Sequence, residues 1–216
     1  MSEKVDWNRL KTGRSKAYRM LPSVLRLPLI GNHREPLLQM IEEGQSILDI
    51  GANDRNLKGY LSKNCSKYYE YYSYDIDESN VHDYYSMMDI NRNFDLITIY
   101  EVIEHLSVSE AYKILEKSLT LLNVHGHIII STPNVYHPVR FWRDCSHVTP
   151  FAYDELVGLL MTVGYQNFTV YRIKSNMRIR DWLVYFFFKP LIQLLGIDYA
   201  TGIAVVAQKA PSSSRD

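Results

Sequence analysis

The chain has little cysteine, no net charge and no apolar run long enough to cross a bilayer, and each shortage removes a class of protein. Its two cysteines, Cys65 and Cys145, stand eighty positions apart without a metal-ligand spacing. A disulfide framework is excluded, and a reducing, cytoplasmic location is expected. Lys plus Arg (24) equals Asp plus Glu (24), so no global field favours nucleic acid or an acidic partner. The opening MSEKVDWNRLKTGRSKAYR holds no apolar stretch of the secretory kind, so no leader is expected. Repeats and low-complexity tracts are missing too, and only residues 210–216 read as a frayed, disordered tail.

What remains is ordinary globular composition, 46% apolar and 22% charged over 216 residues. That is enough for one domain with a helical appendage and too little for two. The charge is unevenly placed. Residues 1–34 carry eight basic and two acidic side chains, residues 35–110 five and fifteen, and residues 111–216 eleven and seven, or +6, −10 and +4. Basic ends suit an anion, whereas the acidic middle suits a neutral or cationic ligand.

Residues 1–45 read as a basic helical segment, and from residue 46 strand and helix patterns alternate. Ser46–Ile50, Tyr68–Tyr74, Phe94–Tyr100, His127–Ser131, Phe168–Ile173 and Gly202–Ala207 read as strands, with a further one expected shortly before Asp89. Helices are expected up to Lys63, over Ser109–Leu122, and over Tyr153–Val163 with a stop at Gly164. Several strands are apolar throughout, which predicts a doubly wound α/β fold whose mostly parallel sheet is covered on both faces. Residues 46–209 form that domain. Such sheets bind ligands beyond the carboxyl ends of their strands, and polar residues gather there: Asp49, Asp75, Asp77, Asp89, Glu101, Glu104 and His105.

The run ILDIGANDRNL places Asp49 two positions before Gly51 at a strand-to-helix turn, where a ligand can approach bare backbone. Asp75, 24 residues after that glycine in YYSYDID, is placed to accept from ribose hydroxyls. The converging acids attract a sulfonium and repel a pyrophosphate, so a dinucleotide is the poorer fit.

These segments resemble the class I S-adenosylmethionine-dependent methyltransferases over about residues 46–170. The likeness rests on LDIG, YDID, MMDI, FDLITIYEVIEHL and the entry to HIIISTPN. It implies a Rossmann-like, seven-stranded sheet and S-adenosylmethionine as cofactor. Asp49, Gly51, Ala52 and Asn53 would then lie along its methionine part, with Asp75 at the ribose and Ile76 against adenine. Asp89, with Ile90 beside it, would accept from the adenine amino group, and Glu101 would be a further cofactor-binding residue. The family's second and third loop glycines are here Asn53 and Arg55. Asn53 tolerates the left-handed region, whereas Arg55 is expected on the first helical turn, pointing outward.

His105, at the end of the Phe94–Tyr100 strand, and His147, in FWRDCSHVTPF, are the candidate general bases, an adjacent Glu fixing the tautomer of His105. Asp144 and His147 lack a third ligand, so no metal is expected. The remaining histidines read as surface or strand-end residues. RIRDWLVYFFFKPLIQLLG, residues 178–196, is an apolar helical insertion before the last strand. It is interrupted by Lys189-Pro190 and too short to span a bilayer. It suits either peripheral contact at the inner membrane face or packing within the protein. The D-x-x-H-x-x-P-F pattern after Asp144 resembles methyltransferases of surface-polysaccharide clusters, which implies a sugar hydroxyl on a glycan or lipid-linked saccharide as acceptor. Nucleic acid, a quinone-type small molecule and a catalytically silent partner subunit stand as alternatives.

Overall fold

The computed structural model describes residues 6–174 and 179–211. Among them seven strands form one sheet: β1 (Leu29–Ile30), β2 (Gln45–Ile50), β3 (Tyr69–Tyr74), β4 (Phe94–Tyr100), β5 (Leu122–Pro133), β6 (Tyr165–Ile173) and β7 (Gly202–Lys209). The helices are α1 (Trp7–Met20), α2 (Glu35–Met40), α3 (Asn56–Asn64), α4 (Val108–Leu121), α5 (Tyr153–Val163) and α6 (Ile179–Leu194). Strand order is β1-β6-β7-β5-β4-β2-β3, with β7 antiparallel to both its neighbours and every other pair parallel. This is the Rossmann-like, doubly wound sheet expected of the sequence. Arg178, the first residue of the expected insertion, lies outside the described residues, as do residues 1–5 and 212–216.

The central strands are apolar on both faces, and each face has its own core. Leu48, Ile50, Ile97, Ile99, Ile128 and Ile130 join one cluster with α4 and α5. Ile47, Leu96, Ile129 and Val206 join another under α2 and α3. Helix α4 starts at a complete capping box between Ser107 and Glu110, which satisfies two otherwise orphaned backbone donors. Helix α5 ends at Gly164, whose φ of 122° suits glycine alone.

Two features depart from the sequence pattern. The strand expected before Asp89 is not formed: that stretch of turns meets the sheet only through a bridge between Tyr74 and Tyr84. Asp83 takes the backbone N–H of Ser73 (2.8 Å), so a carboxylate caps the edge of β3 where a neighbouring strand would otherwise pair. The seventh strand comes instead from the N-terminal part, where Leu29 and Ile30 pair with Arg172 and Ile173. The basic N-terminal segment therefore packs into the same body. Helix α1 crosses α5 at two glycines so closely that a Cβ on Gly13 would lie 2.4 Å from the carbonyl oxygen of Gly158.

Candidate functional site

The carboxyl ends of β2, β3, β4 and β5 form the edge on which the candidate residues stand. At the end of β2 the chain turns through Gly51, with φ 75°. A Cβ there would meet Val102 Cγ2 at 2.3 Å, so only glycine fits this turn. The N–H groups of Gly51 and Ala52 both bond the carbonyl of Tyr74 (2.9 and 3.2 Å), which ties the loop to β3. Asp75 completes the tie. One of its oxygens accepts from Asn53 N–H (2.8 Å) and the other from Asp77 N–H (3.0 Å). A carboxylate has about four acceptor positions, so each oxygen keeps one for a ligand.

Asp49 is almost fully buried, 4% exposed, and faces the interior of the sheet. Tyr71 and Thr98 donate hydroxyl hydrogens to its two oxygens at 2.7 and 2.9 Å. Burial nonetheless raises its pKa to about 6, because the two hydrogen bonds only partly replace lost water. Glu101, with a strained φ of 54°, accepts from Ser131 Oγ at 2.7 Å. Ile76 is 79% exposed on the turn after β3. Asp89 is exposed on its turn, whereas Ile90 is buried in the core. The crescent of acids is thus partly real: Asp75 and Glu101 line the edge, while Asp49 and Glu104 lie inside it.

Arg55 corrects the expectation that it would occupy the first helical turn and point outward. It is the residue preceding α3, with φ 59°, and Asn53 has φ 42°. Both replaced glycines thus keep the left-handed backbone. The Arg55 guanidinium folds across the ring of Tyr71 (5.7 Å), donating to the Val81 carbonyl (3.1 Å) and to Asp83 (3.2 Å). These contacts offset the cost of a non-glycine residue in that region, about 1–2 kcal/mol.

Beyond β4 and β5 the two candidate bases meet, their rings 5.0 Å apart. His105 sits on the short 3-10 turn Ile103–His105, and His147 lies in the loop after β5. The histidine orienting partners differ from the expected Glu: His105 Nδ1 lies against the Ser146 carbonyl (3.2 Å), and His147 Nδ1 against that of Phe141 (2.7 Å). Beneath them Glu104 is buried, 1% exposed. One of its oxygens accepts from Thr132 Oγ1 (3.0 Å) and the other has no hydrogen-bond partner. Burial, reinforced by neighbouring Glu101, raises its pKa to about 8. Sequence reading placed Glu104 at the edge as the neighbour that orients His105; instead it lies buried beneath the histidines and bonds Thr132. Its spacing in EVIEH, one residue before His105, was the available signal. His82 also departs from a surface reading: it is buried against Tyr85.

A cavity of about 410 Å³ opens beside this loop, between Thr149, Phe151 and the α1 residues Trp7, Leu10, Lys11 and Arg14. Arg14 is held to Glu155 at 2.8 Å.

Comparison with known proteins agrees with this geometry. Residues 18–190 match a family model described as a methyltransferase domain. No curated protein sequence matches the chain. Among solved structures, a SAM-dependent methyltransferase from Archaeoglobus fulgidus is similar at TM-score 0.64 and 16% identity, over 82% of this chain and 91% of that one. One from Methanosarcina mazei is similar at TM-score 0.56 and 12% identity, over 82% and 98%. Phosphoethanolamine N-methyltransferase 2 of Haemonchus contortus, in complex with S-adenosyl-L-methionine, is similar at TM-score 0.56 and 14% identity, over 81% of this chain and 50% of its own. At such identities the likeness establishes the fold.

Proposed function

The chain belongs to the methyltransferase-domain family and is an S-adenosylmethionine-dependent methyltransferase, and we propose that it methylates a sugar hydroxyl of a glycan or lipid-linked saccharide. The observation that carries this reading is the pairing of an obligatory glycine turn at Gly51, tied to Asp75 and β3, with a histidine-lined wall at the same sheet edge. The residues suit the cofactor: Gly51, Ala52 and Asn53 form a tight turn tied to β3 through their own N–H groups, and Asp75 keeps free acceptor positions that would receive ribose hydroxyls. Asp49, buried below this turn, would supply a negative charge toward a cationic ligand. Ile76 would contact the adenine with Ile90 supporting it from the core, Asp89 would accept from its amino group, and Glu101 would stand beside the methionine part. When bound, the cofactor supplies an electrophilic methyl group on a sulfonium.

The remaining work is positioning. An oxygen nucleophile must be held in line at near-attack distance, and its proton must leave. The wall of Glu104, His105 and His147 serves both needs in this reading. Trp7, 69% exposed at the adjoining cavity, offers a flat apolar face to a sugar ring, and Lys11 offers a charge to a phosphate. Incubation with methyl-labelled S-adenosylmethionine and separate saccharide, lipid and RNA fractions tests the acceptor. Label is expected in the saccharide or lipid-linked saccharide fraction, and label confined to RNA or to quinone-type lipids would overturn it.

Helix α6 is the proposed place of peripheral membrane contact. Leu183, Phe186, Phe187, Phe188, Leu191 and Leu194 are all exposed on it, the phenylalanines by 54–74%. Lys189 follows them, and no helix among the described residues is long and apolar enough to cross a membrane. An in-plane helix with apolar side chains and adjacent cations binds anionic surfaces reversibly. Anionic vesicles should float the intact chain but not one with Phe186, Phe187 and Phe188 changed to Ser. Equal flotation of both, or of neither, would refute the contact.

A further inference from the structure

We infer that Glu104, His105 and His147 form a binding site for a divalent first-row transition-metal ion, which holds the acceptor hydroxyl. The inference rests on the methyltransferase reading for its chemistry but not for the binding itself. One ligand atom from each of the three side chains falls within 4.8 Å of the others. Metal bonds to nitrogen or carboxylate are about 2.0–2.2 Å, so the cluster closes on an ion after a shift of about 1 Å. His105 is exposed on its 3-10 turn, where a shift of that size displaces no core side chain.

The hydrogen bonds around the cluster prepare it for a cation. His105 Nδ1 faces both the carbonyl and the hydroxyl oxygen of Ser146, whose hydroxyl hydrogen goes to Asp144, and His147 Nδ1 faces the Phe141 carbonyl; these oxygens accept, so in the neutral imidazoles the ring hydrogen sits on Nδ1. Each Nε2 then carries a lone pair. A backbone carbonyl behind the ligating ring is the usual way a protein orients a metal-bound histidine. Glu104 supplies the independent observation: a buried carboxyl group with one oxygen held by Thr132 and the other unpartnered. Buried polar atoms seldom stay unpartnered, and a cation would satisfy this one. Asp144 stands at the rim, one oxygen 3.9 Å from His147 Nε2. The sequence pairing of Asp144 with His147 found no third ligand; the fold brings two from the end of β4.

Two imidazoles and one carboxylate favour Mn, Fe, Co, Ni or Zn over the oxygen-seeking Mg and Ca, and leave positions open for substrate. An acceptor hydroxyl bound there becomes more acidic, as metal-bound water does. Its proton passes to solvent, the oxygen forms a bond to the methyl carbon, and the carbon–sulfur bonding pair stays on sulfur. The products are the methyl ether, the neutral thioether and one released proton. His105 and His147 thus act as ligands rather than as bases.

Co²⁺ tests the site through its visible absorption. The whole chain, first stripped with EDTA, is titrated with Co²⁺ alone, alongside His105→Ala, His147→Ala and Glu104→Gln, with His137→Ala as the control histidine. One Co²⁺ per chain is expected in the wild type and in His137→Ala. Each ligand variant should bind more than about 100-fold more weakly, since even an outer-shell partner is worth about 10- to 100-fold. The same samples are titrated with S-adenosylmethionine by calorimetry, which should be unchanged and which reports that each variant is folded. Failure of the wild type to bind Co²⁺, or equal binding by wild type and folded His105→Ala and His147→Ala, overturns the metal site. Co²⁺ binding without any cofactor binding upholds the site and sinks the methyltransferase reading instead.

Discussion

Asp49→Asn should stabilise the protein at neutral pH while weakening its hold on the cofactor. The carboxyl group is raised from its ordinary 3.8 to about 6 by burial, against the lowering effect of hydrogen bonds from Tyr71 and Thr98. Moving it that far corresponds to about 3 kcal/mol of unfavourable charge burial once it ionises. The sign follows from proton counting. Between about pH 4 and pH 6 the folded chain holds a proton that the unfolded chain has released, so wild-type stability falls as pH rises through that window and levels off above it. An amide side chain carries no charge and lacks this loss, though it matches the two hydroxyl donors less well. A net gain of about 1–3 kcal/mol at pH 7 is expected, and for a chain of this size each kcal/mol moves Tm by about 2–4 °C. Thermal melts from about pH 4.5 to 8 should show the advantage of Asp49→Asn growing up to pH 6 or so and then staying flat. An advantage independent of pH, or one favouring the wild type increasingly as pH rises, would refute the assignment of a buried, charge-penalised Asp49.

Three further substitutions follow from the same geometry. Asp75→Ala removes the carboxylate that anchors Asn53 and Asp77, and calorimetry should show a loss of about 1.5–3 kcal/mol of cofactor binding. Arg55→Gly trades the ion pair with Asp83 for relief of left-handed strain, effects of about 1 kcal/mol each and opposite sign, so stability and cofactor affinity should stay within a few-fold. Tightening by orders of magnitude would mean that Arg55 obstructs the site. Gly13→Leu forces a side chain into the α1–α5 crossing, where a Cβ alone meets a carbonyl oxygen at 2.4 Å. Denaturant melts should show about 1–3 kcal/mol of destabilisation, with cofactor binding retained in the folded fraction.

The fold was legible where periodicity and apolarity act locally. Phe94–Tyr100 and Tyr153–Val163 are read from sequence to the residue because one is a mostly apolar, β-branched and aromatic run and the other ends at a positive-φ glycine. The strand expected before Asp89 failed because Asp83 satisfies the edge of β3, a long-range bond invisible to local patterns. Leu29–Ile30 was missed for the opposite reason: a two-residue strand has no periodicity, and only its pairing with Arg172 and Ile173 defines it. At the site, Gly51, Asp75 and both histidines follow from strand-end placement. Arg55 was misread because its φ depends on a guanidinium reaching residues 26 and 28 positions away. Glu104 was undervalued because its partner on β5, Thr132, lies 28 positions away.

Titration of the chain with S-adenosylmethionine in a calorimeter, beside a Gly51→Val variant, tests the central claim most directly. Val at a position with φ 75°, where an added Cβ would lie 2.3 Å from Val102, must distort the loop to which cofactor binding is assigned in this proposal. The account predicts one bound cofactor per wild-type chain and none in the folded variant. No heat of binding in the wild type, or equal affinity in the two, would contradict it.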